Sequence, residues 1–388
     1  MPVPKKFFTL HAVLSVFLLV LASTALPALA SSSSSWVVKT SGFKLPYAVY
    51  RSGSVWTGKK EYLISGRTDE KQVDTIIEFD PSSGKSIVKD AHLPEARIMM
   101  GAAWLAPYAY VFGGQNLSTI LDDVVRYDPA ADKVEVMPYK LPYTRVGLTA
   151  VPIGDSILIM GGRNETDYFS TVLRFYPSNG SFVPLNPTPV KGGGRSGVFT
   201  GDKVYLFGSC INAKGHDVLE IDPFADTSQQ IDVGPPRNFY WSSSAWTGSS
   251  ALIFGGNNYN TTIDQFLEFT PTTDGKGDLK SLGKLPVPIE NSAAFYDQST
   301  NMAYLLGGRS TTKGISTIYV ITKTSSSTAQ VTPERALLIL GLMGFTIAVV
   351  LLQSKFQKPD RDAGKAEEPV PRSMKPAATL KQDKKKWK

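Results

Sequence analysis

The chain has 388 residues, 42% of them hydrophobic and 19% charged, with a single cysteine and a formal net charge of +7. That length suits one large all-β domain or two to three average domains. Of the charge, +2 lies in residues 1–30 and +6 in residues 355–388, which leaves −1 between them and excludes nucleic-acid binding by the folded part.

Residues 1–30 begin with Lys5 and Lys6, continue through an apolar core from Ala12 to Ala22, and place Ala28 and Ala30 before Ser31. This is the pattern of a cleaved signal peptide, with an uncleaved signal anchor as the alternative. With Cys210 as the only cysteine, no internal disulfide can form, and the domain that follows must be held by its core.

Trp36-Val37-Val38-Lys39 reads as an isolated strand and is followed by Leu45-Pro46-Tyr47. From there a repeat runs along the chain. Short apolar strands end on Gly at YLISG (62–66), YVFGG (110–114), LIMGG (158–162), LIFGG (252–256) and YLLGG (304–308); YLFGS (205–209) is a sixth copy. The last residues are spaced by 48, 48, 47, 47 and 52. A second strand trails each copy, as in IIEFDP (76–81) and VVRYDP (124–129), and the series ends at STIYVI (316–321). Trp56, Trp104 and Trp246 each sit ten residues before the closing Gly, in a strand that leads each copy. KVEVM (133–137) and LKSL (279–282) supply an outer strand. Four strands in about 47 residues make one blade of a β-propeller.

The pattern resembles the kelch family: an apolar strand ending in Gly-Gly, an aromatic-Asp-Pro strand, an outer strand and a Leu-Pro…Arg link. The resemblance covers residues 36–321, and the family's outer-strand Trp is replaced here by Val134, Phe182 or Leu279. It implies an all-β, six-bladed propeller over residues 31–321. The last repeat lacks a fourth strand, so residues 36–39 are expected to pair antiparallel with 316–321 and close the ring.

Links between blades and loops after second strands share one face of a propeller. That face is expected to carry Arg97, Arg145, Arg195 and Arg237 from the links, with Arg67, Arg163 and Arg309 following the Gly pairs. These arginines are read either as an anion-binding rim or as structural partners of carboxylates and carbonyls in neighbouring blades. Sequons at Asn116, Asn164 and Asn260 fall in loops of the same face, and Asn179 in a turn of the other. Copper-radical oxidases similar to galactose oxidase share the propeller. Their site needs two His and two Tyr, one Tyr being cross-linked to Cys. Outside residues 1–30 only His92 and His216 exist, and Cys210 is expected in a loop after a second strand, not near a matched Tyr on the channel, so no catalytic residue, metal or cofactor is assigned.

After a linker (322–335) comes Ala336 to Leu352, 17 residues without a charge, the short end of a spanning helix. Lys355, Lys358, Arg361 and Lys365 follow it and place the C-terminus in the cytosol. The tail, 353–388, is rich in Pro, Lys and Ala and reads as disordered. It ends Lys385-Lys386-Trp387-Lys388, which resembles the di-lysine retrieval signal of endoplasmic-reticulum membrane proteins; a polybasic tail near anionic lipid is the other reading.

The sequence thus describes a single-pass type I membrane protein of the early secretory pathway, or of the cell surface. Its propeller is expected to bind a protein or glycan on the arginine-bearing face, turned away from the bilayer. The rivals are a glycan-acting enzyme and a scaffold whose tail does the work. Oligomeric state is not encoded in any feature found.

Overall fold

The computed structural model describes residues 33–211, 218–231, 233, 239–326, 341, 347–348 and 351–352. The expected signal peptide, most of the expected span 336–352 and the tail 353–388 lie outside the described residues. Among the described residues no helix is long and apolar enough to cross a membrane.

The described residues between 33 and 326 form six four-stranded antiparallel sheets, the blades of a propeller. The innermost strands are Gly53–Trp56, Gly101–Leu105, Thr149–Ile153, Ser196–Phe199, Ser243–Trp246 and Ala293–Asp297. They alternate buried and half-buried residues, because one set packs between blades and the other borders the channel. Second strands such as Ser156–Met160 are buried throughout, and outer strands such as Lys133–Lys140 are largely exposed. Six apolar clusters fill the six gaps between blades, each drawing on two neighbours; Phe112 and Phe175, for example, meet edge to face across one gap. Val134, Phe182 and Leu279 stand at the outer edges of these clusters.

Ring closure follows the sequence expectation. Strand Ser33–Lys44 pairs antiparallel with Thr317–Ser326, Val38 lying opposite Ile321, and completes the sixth blade. Trp36 is 7% exposed and its Nε1 donates to Glu268 of the fifth blade at 3.3 Å, so the strand is tied to two blades. One boundary differs from expectation. The last strand continues to Ser326 because Ser325 and Ser326 still pair with Ser34 and Ser33; the linker therefore begins after Ser326 and not at 322.

The Gly pairs close each blade onto the next. In the second blade Gly114 N donates to Arg145 O at 2.8 Å, and Gly113 has φ +56° with no room for a side chain: a Cβ there would lie 2.4 Å from Arg145 O. The Asp of the Asp-Pro element also has a visible role. Asp128 Oδ1 accepts from the backbone N–H groups of Ala130 and Ala131 and fixes the turn into the outer strand.

A second hydrogen-bond system encircles the axis. One residue from each link, in left-handed conformation, donates its N–H to the carbonyl of its counterpart in the preceding blade. Met99 donates to Arg51, Gly147 to Met99, Gly194 to Gly147, Trp241 to Gly194, Asn291 to Trp241, and Arg51 back to Asn291, over 2.8 to 3.2 Å. Their φ values run from 53° to 68°. Four of the six are not Gly, a conformation that costs about 1–3 kcal/mol per residue and is held here by the closed belt.

Candidate functional site

The belt gives each blade a common origin. The face carrying the links and the loops after second strands is called the upper face here. Two positions before the belt stand Arg97 and Arg145. Both are fully buried. Arg97 donates from Nη1 to Gly113 O (3.1 Å) and Asp123 Oδ1 (2.6 Å), and from Nη2 to Asp123 Oδ2 (2.8 Å). Arg145 donates to Gly161 O (3.0 Å) and, where the second blade has Asp123, to the Thr171 hydroxyl (2.9 Å); it stacks over Phe169 at 4.5 Å. Without a carboxylate, burial pulls its pKa down to about 10. These two link arginines staple a link to the loop after the second strand and are not part of an open rim.

Arg195 departs from the expected pattern in another way. It lies one residue after the belt, at the channel wall, and is 8% exposed. The third link has Gly192 where the preceding two carry Arg97 and Arg145. The Arg195 guanidinium fills that space, so that a Cβ on Gly192 would meet it at 2.5 Å, and its Nη2 donates to Lys191 O at 3.2 Å. Arg237 lies outside the described residues, as does His216. His92 sits on an outer strand, its Nδ1 3.1 Å from Asp74.

The arginines that follow the Gly pairs behave differently. Arg67, Arg163 and Arg309 are half-buried on the upper face. Their backbones bridge to the residues one position before the belt: Tyr50 with Arg67, Val146 with Arg163, Glu290 with Arg309. Arg163 Nη1 donates to Asn164 O (3.1 Å). Arg67 and Arg309 instead flank one ring, their guanidinium carbons 5.9 and 5.8 Å from the centre of Tyr50.

A residue not anticipated from the sequence completes this group. Arg51 belongs to the belt itself, and its guanidinium lies over Trp241 at 5.1 Å. Burial lowers its basicity; Glu290 and Tyr50 oppose this, and the charges of Arg67 and Arg309 add to it. Glu290 is the carboxylate beside Arg51; it is buried and already accepts from Asn257 Nδ2 at 2.6 Å, while Glu70 and Glu95 border a separate cavity with Arg67. Three buried nitrogens at this mouth lack any acceptor among the described residues: Arg51 Nε, Arg309 Nε and Asn291 Nδ2. Unpaired buried donors of this kind cost about 1–3 kcal/mol each. A cavity of about 130 Å³ opens inside the belt at this level, bordered by Arg51, Trp241 and Asn291.

Below the belt the channel continues through a cavity of about 360 Å³ to a mouth of about 500 Å³ on the lower face. Behind its wall Glu61 is 1% exposed, and neither carboxyl oxygen has a well-formed hydrogen bond among the described residues. Burial pushes this carboxyl well above the usual carboxylate range, and the neighbouring Ser54 hydroxyl offsets only part of that. The equivalent positions in the next two blades are Ala109 and Ile157, which marks Glu61 as an intrusion into an apolar layer.

Of the sequons, Asn179 and Asn260 are exposed, whereas Asn116 and Asn164 are half-buried. Asn116 Nδ2, the atom a glycan would occupy, donates to Glu95 at 2.6 Å. Cys210 stands half-buried beside Tyr168 on the upper face; burial first, and then the nearby thiol, raise the Tyr168 phenol. Among the described residues no group of three or more His, Cys, Asp or Glu side chains is placed to hold a metal ion.

Residues 144–189 match the family model of the Kelch motif. They span the third blade together with the link before it. A solved structure described as the structure of YjhT aligns with a TM-score of 0.61 and 16% identity, covering 73% of this chain and 99% of that one. At that identity the likeness is one of fold. No curated protein matches the sequence. The chain is therefore a six-bladed propeller whose third blade matches the Kelch motif, a scaffold that suggests a protein-interaction module.

Proposed function

We propose that this propeller is a non-enzymatic interaction module that takes an acidic group of a protein or glycan partner into its upper mouth, on Arg51, Arg67 and Arg309. One observation carries the reading. Arg51, Arg67 and Arg309 gather near Glu290, a carboxylate already hydrogen-bonded to Asn257, and three buried N–H donors there have no acceptor among the described residues. A carboxylate, sulfate or phosphate supplies the missing acceptors and the missing charge. Arg97 and Arg145, buried in the links before the second and third blades, do not touch the partner.

The setting proposed for the module is the lumen of the early secretory pathway. Residues 1–30 would direct the chain there, residues 336–352 would hold it in the membrane as a single-pass type I protein, and Lys385 and Lys386 would retrieve it. The cell surface is the alternative address. The test is an array of peptides and glycans that differ in acidic groups, probed with the full-length protein. Binding should concentrate on acidic members and fall in Arg51→Met. Binding indifferent to acidic groups, or unchanged in Arg51→Met, overturns the assignment.

A further inference from the structure

The lower end of the channel has a chemistry of its own. Five residues after the belt, each inner strand turns one residue to the axis: Trp56, Trp104, Pro152, Phe199, Trp246 and Tyr296. All six are half-buried. Each aromatic member leans on an apolar cluster between blades or on a ring of the neighbouring blade; Trp56, for instance, stacks on Phe295 with centres 4.1 Å apart and planes 15° apart. Five of the six collar residues are thus aromatic rings held by packing.

Charge is nearly absent from this mouth. Among the described residues no Lys or Arg borders the cavity of about 500 Å³. Its one carboxylate, Asp297, is 6% exposed, and its oxygens are taken up by Ser299 and Thr300. Two residues nearer the belt the wall becomes small and partly hydroxylated: Ser54, Ala102, Ala150, Gly197, Ser244 and Ala294. Ser244 borders both cavities, and its buried Oγ has no hydrogen-bond partner among the described residues.

These features select among ligands. At the lower mouth an anion finds no cation among the described residues, Arg195 bordering only the cavity nearer the belt, and a cation finds only an occupied carboxylate. A purely apolar group would leave the Ser244 hydroxyl unsatisfied, which is costly for a buried polar atom. A neutral sugar ring satisfies both parts. Its weakly positive C–H faces lie against the negative faces of aromatic rings, and its hydroxyls reach the serines. The two cavities fall within the range of about 300–1,000 Å³ usual for small-molecule sites.

We propose that the lower mouth is a carbohydrate site, in which a neutral sugar ring stacks on the Trp56–Trp246 side of the collar and directs hydroxyls to Ser244 and Ser54. The site is separate from the acidic-ligand mouth and stands or falls independently of it. The experiment titrates the full-length protein with the methyl glycosides of glucose, galactose and mannose, read by saturation-transfer NMR. Methyl glucuronide and a proline-rich peptide serve as charged and uncharged competitors of other classes.

At least one neutral glycoside should bind saturably. Trp246→Ala should weaken it at least tenfold, and Ser244→Val, which leaves the collar in place, at least fivefold. Arg309→Met should leave it within twofold. Unfolding midpoints of the variants show whether the ring is intact, and Ser244→Val keeps the test decisive if Trp246→Ala does not fold. The proposal is overturned if no neutral glycoside binds, if Ser244→Val binds like the wild type, or if only the glucuronide or the peptide saturates.

Discussion

The sharpest consequence of the geometry concerns Asp123. Substituting Asp123→Asn keeps the shape of the side chain but removes the charge that two short bonds bring to Arg97. Arg97 is 0% exposed, so its guanidinium cannot turn to water. Its remaining acceptors are Gly113 O at 3.1 Å and the half-exposed Glu95, 3.7 Å away. Breaking a buried pair by removing one partner costs about 3–5 kcal/mol, and Glu95 brings the expected loss toward the lower end. For a domain of this size each kcal/mol lowers the midpoint by about 2–4 °C, so a fall of roughly 6–12 °C is expected in calorimetry. Replacing both partners, Arg97→Met with Asp123→Leu, should restore most of the loss, because no uncompensated charge is left. Binding at the upper mouth should survive wherever the variant is folded. A loss for Asp123→Asn below about 1 kcal/mol would refute the staple role of the link arginines.

Thr171→Asp should give Arg145 the carboxylate that Arg97 already has, raising its lowered pKa and stabilising the ring by about 1–2 kcal/mol; a lowered denaturation midpoint would count against that. Glu61 makes stability pH-dependent. Its carboxyl is raised in the folded state, so its contribution is complete below about pH 4.3, the unfolded value, and is lost as pH rises through the folded one. Urea midpoints between pH 4 and 9 should therefore decline less with pH in Glu61→Gln, and parallel curves would dismiss the effect. Trp36→Ala should cost about 3–5 kcal/mol by emptying a buried site at the closing strand, measured by equilibrium unfolding; a cost under 1 kcal/mol would mean that the strand is dispensable. Changing Lys385 and Lys386 to Ser, or appending two Ala after Lys388, should each turn endoglycosidase-H-sensitive glycans resistant. Glycans that stay sensitive in both variants would leave retrieval without support.

The repeat was legible because it is enforced by backbone contact. A Cβ at Gly113, Gly161 or Gly255 would collide with the carbonyl of the next link, so the chain shows Gly there again and again. Closure was legible for the complementary reason that Trp36-Val37-Val38 has no partner in sequence and the last blade lacks a strand. The arginines were legible as a face but not as individuals. Arg97, Arg195 and Arg51 stand two residues before, one after, and within the belt, and those offsets decide whether a guanidinium is buried, swings to the wall or faces the mouth. The belt is made of backbone N–H and C=O groups and leaves no residue signature beyond tolerance of Gly147, Gly194 and Asn291. Arg51 could have been found by aligning the links on those residues. The near-copies SVWTG and SAWTG did flag Trp56 and Trp246, but only the inner position of their strands shows that they share a mouth.

The central claim is that an acidic group binds at Arg51, Arg67 and Arg309. It is tested most directly by titrating the full-length protein with a hexaglutamate peptide at constant ionic strength, following the fluorescence of Trp241 beneath Arg51. Two charge-assisted hydrogen bonds at about 1.5–3 kcal/mol each predict that Arg51→Met with Arg309→Met weakens binding by at least about a hundredfold. Its unfolding midpoint should stay near that of the wild type. A hexaglutamate affinity within threefold of the wild type in that double variant, or no saturable binding by the wild type at all, would contradict the account.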